Sequence, residues 1–204
     1  MASRPGRLLC ALAGAAIGAA AARVAYAALT RARPHDPGDR WTRKNHRGEP
    51  VTLLEGPAFA AGSGAAVALT PGLPARVRLA ALIAGAGSGA LGAYDDLYGT
   101  TSSKGFKGHL GALARGEVTS GAVKIIGIGA TGLASAALVS RGPADTLVNG
   151  AAIAGAANLA NLFDLRPGRA IKVGLLTGGP LLAASLVRDR PAAALAAAPL
   201  GAAA

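Results

Sequence analysis

Two adjacent carboxylates, Asp95 and Asp96, close an apolar stretch in the run Gly92-Ala93-Tyr94-Asp95-Asp96. Side by side at a membrane boundary they repel each other and gain nothing from burial. They therefore call for Mg²⁺, a basic side chain or a proton-transfer role. A solvated helix end is the plainer alternative, although a helix C-terminus is the unfavourable end for anions. A second constellation is Asn158-Leu159-Ala160-Asn161-Leu162-Phe163-Asp164. Its polar residues recur every third position and share one face of a helix. Two amides and a carboxylate in one line are costly against lipid, so they should face a protein interior or an aqueous cleft. Asparagines that only hold helices together would show the same spacing.

Basic residues accompany both constellations. Arg43-Lys44-Asn45-His46-Arg47-Gly48 precedes them, Lys104-Gly105-Phe106-Lys107-Gly108-His109 lies between them, and Arg166-Pro167-Gly168-Arg169 follows. Glycines between lysines let a backbone approach an anion closely while the amines supply charge. Guanidinium groups bind phosphate in bidentate fashion. Lys124 stands one turn into a segment that opens Gly116-Glu117-Val118-Thr119-Ser120-Gly121. It could snorkel to an interface or line a phosphate cavity. Basic residues beside a membrane also fix topology without any chemistry.

The elements that must position these residues are apolar. The chain has 204 residues, 51% hydrophobic, 15% charged and 3% aromatic. Soluble domains carry about a quarter charged residues, and a soluble core would have to be built here from small side chains that each bury little area. Small residues instead suit helices packed closely in a membrane. Apolar stretches at about 8–30, 51–70, 77–94, 119–140, 144–163 and 170–187 approach the roughly 20 residues needed to span. The second is weakened by Glu55, Gly56 and Pro57. A seventh apolar segment begins after Pro191 and runs unfinished to Ala204. The expected fold is all-α: one polytopic transmembrane helix bundle over residues 1–204, with about six spans and an incomplete seventh.

Charge sets the expected orientation. Loops 1, 3 and 5 hold twelve basic residues and the opposite side seven, which places those loops in the cytoplasm and the N-terminus outside. A signal peptide ending near Ala25-Tyr26-Ala27 is the alternative for the first stretch, but cleavage would leave the very basic loop 1 outside. The net charge of +11 raises nucleic-acid binding, yet the basic residues form no stripe with interleaved aromatics. Cys10 is the one cysteine, so an intrachain disulfide and a CxxC metal site are excluded.

Taken in order, these motifs resemble the polyprenyl-phosphate N-acetylhexosamine-1-phosphate transferases, which include the phospho-N-acetylmuramoyl-pentapeptide transferases. The likeness covers about residues 40–172: an RKxH-like loop, a GxxDD helix end, KGxxG, a TxGxxK helix start and NxxNLxD. It implies Mg²⁺-dependent transfer of a sugar-1-phosphate from a UDP-amino sugar to a polyprenyl phosphate at the cytoplasmic face, releasing UMP in cell-envelope glycan synthesis such as that of peptidoglycan. The implied catalytic residues are Asp95, Asp96 and Asp164, with Asp164 also the metal ligand. The implied substrate-binding residues are Lys44, His46, Lys104, Lys107, Lys124, Asn158, Asn161, Arg166 and Arg169. Polyprenyl phosphate, UDP-amino sugar and the membrane are the expected partners, with no nucleic acid and with a homodimer left open.

The sequence also departs from the family pattern. Pro167 stands where the peptidoglycan enzymes continue to a second aspartate, and neither a GDxG-type aspartate nor a later histidine motif follows. The chain is therefore expected to be truncated relative to the family and, if it ends at Ala204, inactive or nearly so alone. The alternative function is an inactive homologue that binds lipid phosphate or serves as a scaffold. A small transporter with an Asp/Asn ion path would require an inverted repeat between the halves, and none is evident.

Overall fold

The computed structural model describes residues 4–32, 39–45, 47–99, 108, 111–112, 114–116, 119–164, 168–187 and 192–204. Among the described residues the bounded helices are α1 (Arg4–Ala32), α2 (Glu55–Leu69), α3 (Ala75–Tyr98), α4 (Ser120–Ala137), α5 (Pro143–Phe163), α6 (Arg169–Val187) and α7 (Ala192–Ala202). One antiparallel hairpin, β1 (Thr42–Lys44) with β2 (Pro50–Thr52), lies between α1 and α2. The protein is an all-α, multi-pass membrane helix bundle. Helices α1, α3, α4, α5 and α6 are long and apolar enough to cross a membrane.

Local chemistry accounts for several boundaries. Thr119 caps α4, its hydroxyl accepting from the Ala122 N–H at 3.1 Å. Pro143 occupies the first turn of α5, where its missing N–H costs nothing. Between α2 and α3 the chain turns through Thr70-Pro71-Gly72-Leu73-Pro74, with Gly72 at φ +84°. That conformation strains any residue with a Cβ. The Arg78 guanidinium closes this turn by donating to the Thr70 carbonyl at 3.0 Å.

The second apolar stretch differs from its sequence-based boundaries. Val51 and Thr52 belong to β2, so α2 begins at Glu55 and has 15 residues. At 1.5 Å per residue it is about 22 Å long, short of the roughly 30 Å hydrocarbon core. The hairpin takes the residues that would have lengthened it. The segment after Pro191 forms a short helix, α7, packed against α1, α2 and α6.

Small residues build the core. One cluster joins Ala66, Val67, Leu73, Ala194 and Ala198, and a second joins Ala11, Ala193 and Ala197. A Cβ on Gly18 would come within 2.6 Å of the Ala198 carbonyl oxygen, and one on Gly62 within 2.6 Å of the Ala22 Cβ. Helices α1, α2 and α7 therefore touch nearly backbone to backbone, the packing that membrane helices use in place of bulky interdigitation. Large apolar side chains point outward instead, among them Leu176, Val187, Val24, Val148 and Leu147. Lipid is the solvent that accommodates such a surface.

Candidate functional site

Three helix ends and the hairpin meet at one end of the bundle. Asp95 and Asp96 lie in the last turn of α3, Lys124 in the first turns of α4, and Asn161 in the last turn of α5. The Lys124 ammonium donates to Asp95 Oδ2 at 2.8 Å and to Asn161 Oδ1 at 2.9 Å. Lys124 is 8% exposed, and its ion pair with Asp95 is largely sheltered.

The dipoles of the two helices explain why this pair forms. A lysine near a helix N-terminus faces partial positive charge, and an aspartate near a C-terminus faces partial negative charge. Each charge is misplaced on its own helix and satisfied by the other. The Asn161 carbonyl adds an uncharged acceptor for the amine. An ammonium has three donors, so one N–H of Lys124 remains beyond these two bonds.

The hairpin brings a second cation to the same end. Arg43 donates through Nη2 to the backbone carbonyl of Asp96, and through Nη1 to the Arg40 and Thr42 carbonyls. The carbonyls of a last helical turn lack partners within the helix. Asp95 O is taken by the Gly99 N–H at 2.7 Å, and Asp96 O by the arginine. Asn45 organises the tip of the hairpin that carries this arginine. The Asn45 side chain accepts from the Arg47 and Glu49 N–H groups and donates to the Glu49 carboxylate at 2.8 Å.

Asp96 is exposed, and its carboxylate lies within electrostatic range of Lys124, Asp95, Arg43 and Asp164. Asp164, the C-cap of α5, thus belongs to the same cluster, and burial pushes its carboxyl above the ordinary value. Of the sequence-derived site residues, the fold brings together Asp95, Asp96, Lys124, Asn161 and Asp164. Asn158 lies exposed one turn back along α5, Lys44 is exposed on β1, and Arg169 is exposed at the start of α6. His46, Lys104, Lys107 and Arg166 lie outside the described residues. Arg43 is the residue whose part the sequence did not single out. Its only signal was membership of a basic loop, and its contact with Asp96 spans 53 positions.

Mg²⁺ takes oxygen ligands and is commonly held by one or two carboxylates together with substrate phosphates and water. Asp96 and Asp164, at the ends of α3 and α5, each supply carboxylate oxygens, the ligand type such an ion takes. Among the described residues no group of three or more His, Cys, Asp or Glu side chains is placed to hold a metal, so phosphate oxygens would have to complete the coordination. Asp95, held by Lys124, is the least available of the three aspartates.

No family model, curated protein or solved structure matches this chain.

Proposed function

We propose that this end of the bundle is a phosphoryl-transfer site that moves a sugar-1-phosphate from a UDP-amino sugar to a polyprenyl phosphate. An oxygen of the lipid phosphate forms a bond to the sugar-bearing β-phosphorus. The bond from that phosphorus to the bridging oxygen breaks, and UMP leaves with the electron pair. Such chemistry needs positioning and charge neutralisation more than covalent help. The observation that carries the reading is Lys124 joined to both Asp95 and Asn161. Three separate segments, whose motifs carry the family resemblance only when taken together, converge on one ammonium group.

Lys124 holds the acidic turn of α3 against the amide row of α5, and its third N–H can reach a phosphate oxygen. Arg43 offsets the negative charge at Asp96. Asp96 and Asp164 would hold Mg²⁺, which when bound would neutralise diphosphate charge. The same reading puts loops 1, 3 and 5 in the cytoplasm, where nucleotide sugars are found, and assigns the product to cell-envelope glycan synthesis.

One observation favours a second reading. The carboxylate of Asp95 is occupied by the Lys124 ammonium at 2.8 Å and is not free to attack a substrate or to hold an ion. A site so neutralised could bind a lipid phosphate without turnover. Both readings are tested on the full chain in proteoliposomes containing undecaprenyl phosphate, with Mg²⁺ and UDP-N-acetylglucosamine or UDP-N-acetylmuramoyl-pentapeptide. UMP release that requires the lipid phosphate and is lost in Lys124→Met supports transfer. Saturable lipid-phosphate binding without UMP supports the second reading, and the absence of both overturns the assignment.

A further inference from the structure

Tyr94 and Tyr98 flank the two aspartates in the last turns of α3, and their rings stack, with centroids 5.2 Å apart and planes tilted by 38°. They come two helical turns after Gly87 and Leu91, so all four share one face of α3. That face packs on α4. A Cβ on Gly87 would come within 2.5 Å of Thr131 Cγ2, and one on Gly127 within 2.7 Å of Leu91 Cδ2. The register passes from Gly87–Thr131 and Leu91–Gly127 to Asp95–Lys124, which brings Tyr98 level with the first turn of α4.

Two tyrosines on a packed face should be covered, yet Tyr94 is 40% and Tyr98 54% exposed. The reason lies in α4. It begins with Ser120, Gly121 and Ala122, whose side chains are too small to cover a phenol. Among the described residues this leaves a notch between the two helices. One wall is the stacked pair, a flat surface held in place at little cost in side-chain freedom. The other is the N-terminal end of α4, whose dipole favours an anion. Lys124 lies one turn deeper and is 8% exposed; its ammonium has one N–H beyond the bonds to Asp95 and Asn161.

A stacking surface beside a cation suits a nucleotide: ring lies on ring, and the amine meets phosphate. A free phosphate would use the amine and leave the rings idle. An acyl chain would use the rings and leave the buried amine idle. We infer that Tyr98, braced by Tyr94, is the platform for the base of a nucleoside diphosphate whose phosphates reach Lys124 and the start of α4. The identification of that base as uracil rests on the transfer reading. The platform itself requires only a planar ring with phosphate at its far end. The tyrosines touch the base and not the reacting phosphorus, so they govern nucleotide affinity and not the chemical step.

The test uses the full chain in detergent. Trp41 is the one tryptophan, so in Trp41→Phe with Tyr98→Trp the indole reports from the platform alone. UDP should quench it saturably, whereas ribose 5-phosphate should not. By calorimetry Tyr98→Leu should weaken UDP binding about ten-fold, the effect of one lost base stack. Pyrophosphate binding should be unchanged, which shows that the fold and the amine persist. Tyr98→Phe should bind UDP as the unmutated chain does, because stacking needs the ring and not the hydroxyl. Absence of saturable quenching by UDP overturns the proposal, as does UDP binding unchanged in Tyr98→Leu; the tyrosines would then be interfacial anchors. Equal losses for UDP and pyrophosphate, or equal losses in Tyr98→Phe and Tyr98→Leu, also overturn it. UDP quenching in a chain that releases no UMP from a UDP-sugar supports the platform and overturns the transfer reading alone.

Discussion

Lys124 Nζ lies 2.8 Å from Asp95 Oδ2, and each residue occupies the end of its helix where its own charge is disfavoured. The ion pair removes both penalties at once and fixes α4 against α3. Removing one partner leaves the other charge sheltered and unmatched. Lys124→Met and Asp95→Asn are each expected to lower stability by roughly 1–3 kcal/mol, between the ranges for exposed and buried pairs. Thermal denaturation in detergent measures both. The double variant should cost less than the two singles added together; strict additivity would mean that the pair contributes no coupling.

Arg43 reaches the Asp96 carbonyl from the hairpin. Arg43→Gln should therefore release the hairpin without unfolding the bundle. Hydrogen exchange or limited proteolysis should show faster opening across residues 40–54, with the main thermal transition lowered by no more than about 1.5 kcal/mol. Unchanged protection of the hairpin would mean that its ladder and the Asn45 turn hold it unaided.

Gly62 sits where a Cβ would come within 2.6 Å of Ala22 Cβ and 2.7 Å of the Gly18 carbonyl oxygen. Gly62→Val should force α1 and α2 apart at a cost of about 1–3 kcal/mol, read as a lower melting temperature. Gly56→Ala is the control, since a Cβ at that position would meet nothing within 4 Å. Equal effects at the two positions would argue against close backbone contact as the basis of this packing.

Asp96 and Asp164 stand at the C-terminal ends of α3 and α5. If they share a divalent ion with a diphosphate, millimolar Mg²⁺ together with a UDP-sugar should raise the melting temperature, and EDTA should reverse the rise. Asp164→Asn should remove most of the Mg²⁺-dependent part. A rise that is unchanged in Asp164→Asn would place the ion elsewhere.

The amino-acid sequence by itself determined the helical membrane architecture, because long apolar runs of Ala, Gly and Leu leave the backbone no other way to satisfy its hydrogen bonds in lipid. It also singled out Asp95, Asp96, Lys124, Asn161 and Asp164, because a polar side chain beside an apolar run is costly and visible without a structure. What it could not supply was any relation that depends on two segments packing together. The Lys124–Asn161 bond joins residues 37 positions apart, and the Arg43 contact with α3 depends on a hairpin short enough to lie hidden at the start of an apolar stretch. Tertiary structure alone decided those matters, because which face of a helix is buried is set by the neighbours that pack against it.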